Sequence, residues 1–150
     1  MEPVIELDQK IRVLDIDYPN ILATKIKIVC SKINFSYEGI RWIIFDPALS
    51  DINGEKPNQI RRMLIGKDGR DYGACNRKDI IWISTLAIKR EFQNYFFNKM
   101  NKTLDVMIRN KRDFLANVIL DELAHIATGC DHGSLQYDAK LNEFYKCYYS

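Results

Sequence analysis

Asp121-Glu122-Leu123-Ala124-His125-Ile126-Ala127-Thr128-Gly129-Cys130-Asp131-His132 is the stretch on which the reading of this chain turns. It holds both histidines of the 150-residue sequence. Asp121 and His125 stand at i and i+4, so in a helix their side chains leave one face, with Glu122 beside them. Phe114, Leu115, Val118, Ile119, Leu123 and Ile126 recur at helical spacing and supply the buried face of that helix. The helix is predicted to begin at Leu104 or behind an Asn110 cap and to run to Thr128. Gly129 then stops it in a left-handed turn, and the chain returns with His132-Gly133.

Outward from this stretch, the second half reads as helical. Ser84 or Thr85 caps a helix predicted to reach about Met100, with a break at Asn101-Lys102-Thr103. Ser134 is predicted to cap a last helix, Leu135 to Tyr145, burying Leu135, Leu141 and Phe144. The first half reads mainly as extended chain. Ile11 to Ile16 alternates weakly, and Thr24 to Val29 alternates better with period two. Ile40 to Phe45 is an aromatic and β-branched run closed by Asp46-Pro47, and Asp79 to Ser84 is the firmest strand. Ser50 to Pro57 is a loop, and Arg61 to Ile65 a short strand before the Gly66 to Gly73 turn region. The order is sheet, helix, motif helix, turn, final helix, which predicts one α+β domain over residues 1–150 rather than alternating βαβ units.

Composition limits the classes. Hydrophobic residues make up 47% and charged residues 28%, the balance of a globular chain with a core. A net charge of +2 does not by itself point to nucleic acid, which needs clustered cations to displace counterions. The start Met1 to Glu6 lacks a basic and apolar leader, and no run of eighteen apolar residues offers a membrane span. The four cysteines, Cys30, Cys75, Cys130 and Cys147, form no C-x-x-C pair. The expectation is a cytoplasmic protein with reduced thiols.

The spacing of the motif has a chemical meaning. In H-E-x-x-H, two histidines one turn apart hold zinc, and the glutamate between them serves as general base. Asp121 stands at the first of those positions, with Glu122 and His125 at the others. Asp121, His125 and His132 are the candidate metal ligands, and Glu122 the candidate catalytic base. A carboxylate binds zinc at a distance similar to an imidazole, but Asp is shorter than His and its charge makes the metal a weaker Lewis acid. Zn2+ is the expected ion, with Mn2+ or Fe2+ as harder alternatives suited to a carboxylate. Cys130 and Asp131 are alternative ligands, as is Glu143 from the last helix. The plainer readings are a small buried thiol for Cys130 and an exposed helix charge for Glu143. The plain reading of Asp121-Glu122 is a solvated helix face, and of a lone histidine an ordinary polar residue.

In these residues the chain resembles the SprT-like metallopeptidases, a zincin family. Val118 to Leu120, Asp121 to His125, Gly129 and His132-Gly133 correspond to its apolar run, H-E-x-x-H, glycine turn and third histidine with glycine. Ile81-Trp82-Ile83-Ser84 is similar to the strand that precedes the family's first helix, and Gly73-Ala74-Cys75 to the small-residue turn before that strand. Tyr137 takes the place of an aromatic on the last helix, one residue late. The likeness spans about residues 70 to 146. It implies a zincin-like fold, a small mixed or antiparallel sheet packed on the motif helix, and a zinc-dependent peptidase. It also implies that a peptide substrate pairs along Asp79 to Ser84 as an added strand, the alternative being a plain strand that buries Ile80 and Trp82. Nucleic acid enters as a partner by family analogy alone. The departure is Asp121. It keeps open a second expectation, a catalytically inactive domain of the same fold that binds or regulates a protein, and a third, a metal that only stabilises.

Overall fold

Asp17-Tyr18-Pro19 starts the first helix for local reasons. The Asp17 carboxylate accepts from the backbone N–H of Asn20, and Pro19 occupies the first turn, where a missing N–H costs nothing. The resulting helix, α1 (Tyr18–Lys32), buries Leu22, Ile26, Val29 and Cys30, which recur at helical spacing. The alternation of Thr24 to Val29, expected as a strand, therefore lies inside a helix. Ile26 is fully buried while Ile28 faces solvent, so period two was an accident of two isoleucines on different helix faces.

The computed structural model describes residues 1–8, 16–46, 72–91 and 113–150. Along them run β1 (Val4–Leu7), α1, β2 (Arg41–Phe45), β3 (Gly73–Cys75) and β4 (Ile80–Ser84). Helix α2 follows and is described over 85–91, then α3 (Phe114–Thr128) and α4 (Leu135–Tyr149). Of the weakly alternating Ile11 to Ile16 only Ile16, a bend, is described; the rest of it, the expected Arg61–Ile65 strand, the Ser50–Pro57 loop and the Asn101–Thr103 break lie outside the described residues.

The fold is α+β, with a four-stranded mixed sheet in the order β1-β2-β4-β3. β1 and β2 are parallel, β2 and β4 are parallel, and β3 returns antiparallel to β4. A parallel pair needs a crossover, and α1 supplies it between β1 and β2. The first half thus contains a βαβ unit that the expected order of elements did not allow for. β4 buries Ile81 and Ile83, while Ile80 and Trp82 stay half-exposed, the reverse of the face expected.

β4 is also not the open edge that a peptide pairing along Asp79 to Ser84 would require. It is hydrogen-bonded to β2 on one side and β3 on the other, so its backbone groups are already used. Among the described residues the edge on that side is β3.

The helices pack around an apolar core that includes Leu22, Ile26, Trp42, Ile83, Leu115 and Ile119. One polar cluster crosses it. Lys25 of α1 bonds Glu91 at 2.7 Å and Asp113 at 2.5 Å. Asp113 also caps α3, its Oδ1 accepting from the Ala116 N–H, and its Oδ2 accepts from the Tyr148 hydroxyl of α4. One carboxylate thus ties the start of the motif helix to both neighbouring helices. Among the described residues no helix is long and apolar enough to cross a membrane, and Cys30, Cys75, Cys130 and Cys147 are free thiols.

Candidate metal centre

α3 ends as its sequence requires. Gly129 adopts φ 67°, and its N–H donates to the His125 carbonyl at 2.7 Å. Gly133 makes a second left-handed turn at φ 85°, and Ser134 then caps α4 through the Tyr137 N–H. Between the two glycines the chain folds back so that His132 meets His125. Their Nε2 atoms are 3.1 Å apart.

The main chain of this turn also sets the state of His125. Its Nδ1 lies 2.7 Å from the Cys130 carbonyl oxygen. A carbonyl only accepts, so Nδ1 carries the proton and Nε2 presents its lone pair toward His132. This is the arrangement by which a ligating histidine is oriented, with the other ring nitrogen donating to a backbone carbonyl. Burial lowers the His125 pKa, the Cys130 hydrogen bond opposes this, and the neighbouring His132 and Arg77 charges lower it further. The net effect is below the ordinary imidazole value, favouring the neutral ligand form. Tyr137 stacks on His125 with ring centroids 4.2 Å apart and meets His132 edge-on at 4.9 Å, so one buried ring steadies both imidazoles.

The histidine pair opens onto a cleft of about 210 Å³. Glu122, His125 and His132 line it from α3 and the turn, and Gly73, Cys75 and Arg77 from the strand side. Glu122 is nearly buried, as expected of a base aimed across a cleft rather than into solvent. Gly73 lets β3 lie against α3. A Cβ there would come within 2.7 Å of Val118 Cγ1 and 3.5 Å of Glu122 Cγ. The Cys75 thiol is pushed up to about 12, first by burial and then by the Glu122 charge, so it stays protonated beside the carboxylate.

Asp121 is the residue whose surroundings the sequence did not foretell. Its Oδ1 accepts from the Tyr145 hydroxyl at 2.7 Å, which draws the carboxylate toward α4. Burial raises its pKa above the usual carboxylate range, although Tyr145 and the charges of His132 and His125 pull the other way. The structure therefore brings His125, His132 and Glu122 to one cleft and holds Asp121 beside it by a hydrogen bond to the last helix. Among the described residues no three His, Cys, Asp or Glu side chains are gathered as a complete ligand cluster.

The alternative ligands are placed by their contacts. The Cys130 thiol donates to the Thr128 carbonyl, and it is the main-chain oxygen of Cys130 that serves the site. Glu143 pairs with Lys140 at 3.1 Å on the exposed face of α4. Asp131 lines the cleft and pairs with Arg77. Tyr145, Arg77 and the Cys130 carbonyl are site residues that motif reading missed. Of these only Arg77 could have been found locally, from the adjacent cations Arg77-Lys78 just before the Asp79 to Ser84 strand.

The donors present fit a divalent ion of the zinc type in part. Two adjacent imidazoles, one oriented by a backbone carbonyl, suit Zn2+, and a carboxylate hydrogen-bonded by a tyrosine is a common form for a third ligand. No family model, curated protein or solved structure matches the chain.

Proposed function

We propose that this cleft holds a divalent metal ion, zinc by preference, and hydrolyses peptide bonds, in a domain of zincin-like, SprT-like type. The observation that carries this reading is the approach of His125 and His132 to 3.1 Å between Nε2 atoms, with Glu122 on the wall of the same cleft. His125 and His132 would hold the ion, and Asp121 would complete the set through its carboxylate. The ion, when bound, would polarise the scissile carbonyl and make a coordinated water acidic near neutral pH. Glu122 would take a proton from the attacking water and pass it to the leaving amine. The Cys130 carbonyl keeps the His125 proton on Nδ1, and Tyr137 holds both rings in place.

Metal content of protein purified without added metal tests the first half of this reading. Near one zinc per chain, lost on His125→Ala and reduced on Asp121→Ala, is the expected result. Glu122→Gln should retain the metal and lose peptide hydrolysis by about a hundredfold or more, the scale of a general base. Equal cleavage by Glu122→Gln and wild type would reject Glu122 as the base.

One observation favours a second reading, a non-catalytic domain that binds a protein partner. The Asp121 carboxylate already has a partner in Tyr145. On this reading the protein takes up no zinc on titration, and the Asp121–Tyr145 bond serves only to join α3 to α4.

A further inference from the structure

Arg77 is the one Lys or Arg among the described residues that line the cleft; it pairs with the Asp131 carboxylate and shares the cleft with Glu122. Its position is held by the turn between β3 and β4. The Asn76 Oδ1 accepts from the backbone N–H groups of Lys78, Asp79 and Ile80, and its Nδ2 donates to Asp79 at 2.8 Å. Arg77 itself sits at φ 61°, a left-handed conformation that this network supports. Its charge is felt at both His125 and Cys75, which puts the guanidinium within the electrostatic reach of the histidine pair.

One Arg77 nitrogen, Nη2, already pairs with a carboxylate oxygen, Oδ1 of Asp131, the residue just before His132. The pair is solvated, with side chains 41% and 65% exposed, so it contributes little stability and exchanges cheaply for another carboxylate. A guanidinium binds a carboxylate through two parallel N–H bonds, a fit that a neutral peptide group does not offer.

We propose that Arg77 is a specificity-determining residue that binds a carboxylate of the peptide entering the cleft, taking the place now held by Asp131. The carboxylate is either an acidic side chain or a free C-terminus. This rests on the peptidase reading for the nature of the ligand as a peptide, but not for its charge.

The test uses the full chain carrying Glu122→Gln, so that binding is followed without cleavage. Three labelled peptides are titrated by fluorescence anisotropy: one with an internal Glu and both ends blocked, one neutral with a free C-terminus, and one neutral with both ends blocked. At least one carboxylate peptide should bind about fivefold tighter than the blocked neutral one, the scale of an exposed charge pair. Which one does so identifies the source of the carboxylate. Arg77→Ala should abolish the preference. Asp131→Asn, which removes the resident competitor, should enlarge it. If Arg77→Ala unfolds the turn, Arg77→Asn removes the charge with a residue that tolerates positive φ.

A purely structural clasp between the two turns would respond alike to loss of either partner. A preference lost in both Asp131→Asn and Arg77→Ala therefore overturns the proposal, as does equal or absent binding of all three peptides. Cleavage by the wild-type chain is measured in parallel. No cleavage with the preference intact removes the peptidase reading and leaves Arg77 its role, and cleavage with no preference does the reverse.

Discussion

At the scale of single residues, Asp121 and Tyr145 decide what kind of site this is. A carboxylate whose one oxygen is hydrogen-bonded by a partly buried tyrosine is oriented, and outer partners of this type commonly tune metal affinity by about ten- to a hundredfold. Tyr145→Phe removes that bond and little else. Its zinc dissociation constant, measured by competition with a chromophoric chelator, should weaken by about tenfold while His125 and His132 still hold the ion. An unchanged constant would remove Asp121 from the ligand set. The motif was legible because helical spacing alone puts residues 121 and 125 on one face and Gly129 stops the helix. The Tyr145 contact was not, because it joins residues 24 apart and depends on how α4 lies against α3. The same holds for the Cys130 carbonyl, since side-chain patterns say nothing about where a backbone oxygen points.

Among the elements, β3 and α3 form the two walls of the cleft, and their separation is set by one missing side chain. Gly73→Ala would push a Cβ to 2.7 Å from Val118 Cγ1. Overpacking of this kind costs about 1–3 kcal/mol, so urea unfolding of Gly73→Ala should show a lower midpoint and an unfolding free energy smaller by that amount. Gly73→Ala together with Val118→Ala, which withdraws the opposing methyls, should recover part of the overpacking cost. Strands β2 and β4 were legible from their aromatic and β-branched runs, as were the end of α3 and the start of α4 from Gly129 and Ser134. α1 was misread because Ile26 and Ile28 imitate strand alternation, whereas Asp17, Pro19 and the Leu22, Ile26, Val29 spacing mark a helix. The position of β4 inside the sheet was beyond local reading, since strand order depends on pairings far apart in sequence.

For the whole molecule, the Lys25–Glu91–Asp113 cluster links the proton balance to stability. Burial alone would raise the Asp113 pKa, but the Lys25 charge and the hydrogen bonds from Lys25, Ala116 and Tyr148 bring it below its ordinary value of 3.8. The folded state then holds fewer protons than the unfolded one in acid. The stabilisation is complete above the unfolded value and is lost as pH falls through the lower folded value. Glu91 runs the other way, since burial raises its pKa and offsets part of this gain at mildly acidic pH. Lys25 sets the alkaline limit. Burial lowers its pKa, yet Asp113 and Glu91 raise it above 10.5, so its contribution is present below that value and lost as pH rises through the folded one. Thermal unfolding followed against pH should show both declines. Asp113→Asn keeps a capping side chain but no charge, and it should flatten the acid decline. An acid limb unchanged in that variant would mean that other carboxylates govern it.

The same anchoring has a consequence for motion. α3 is gripped at its start by Asp113 with Lys25 and Tyr148, and at its end by the Gly129 turn and the meeting of the two histidines. β3 is three residues long and, among the described residues, pairs with β4 alone. Local opening therefore falls to the strand wall. Backbone amides in α3 should exchange with deuterium at rates near those of global unfolding, and those around Gly73–Cys75 and the Arg77 turn much sooner. Anything that enters the cleft would then do so by displacing the strand wall while the histidine wall stays still.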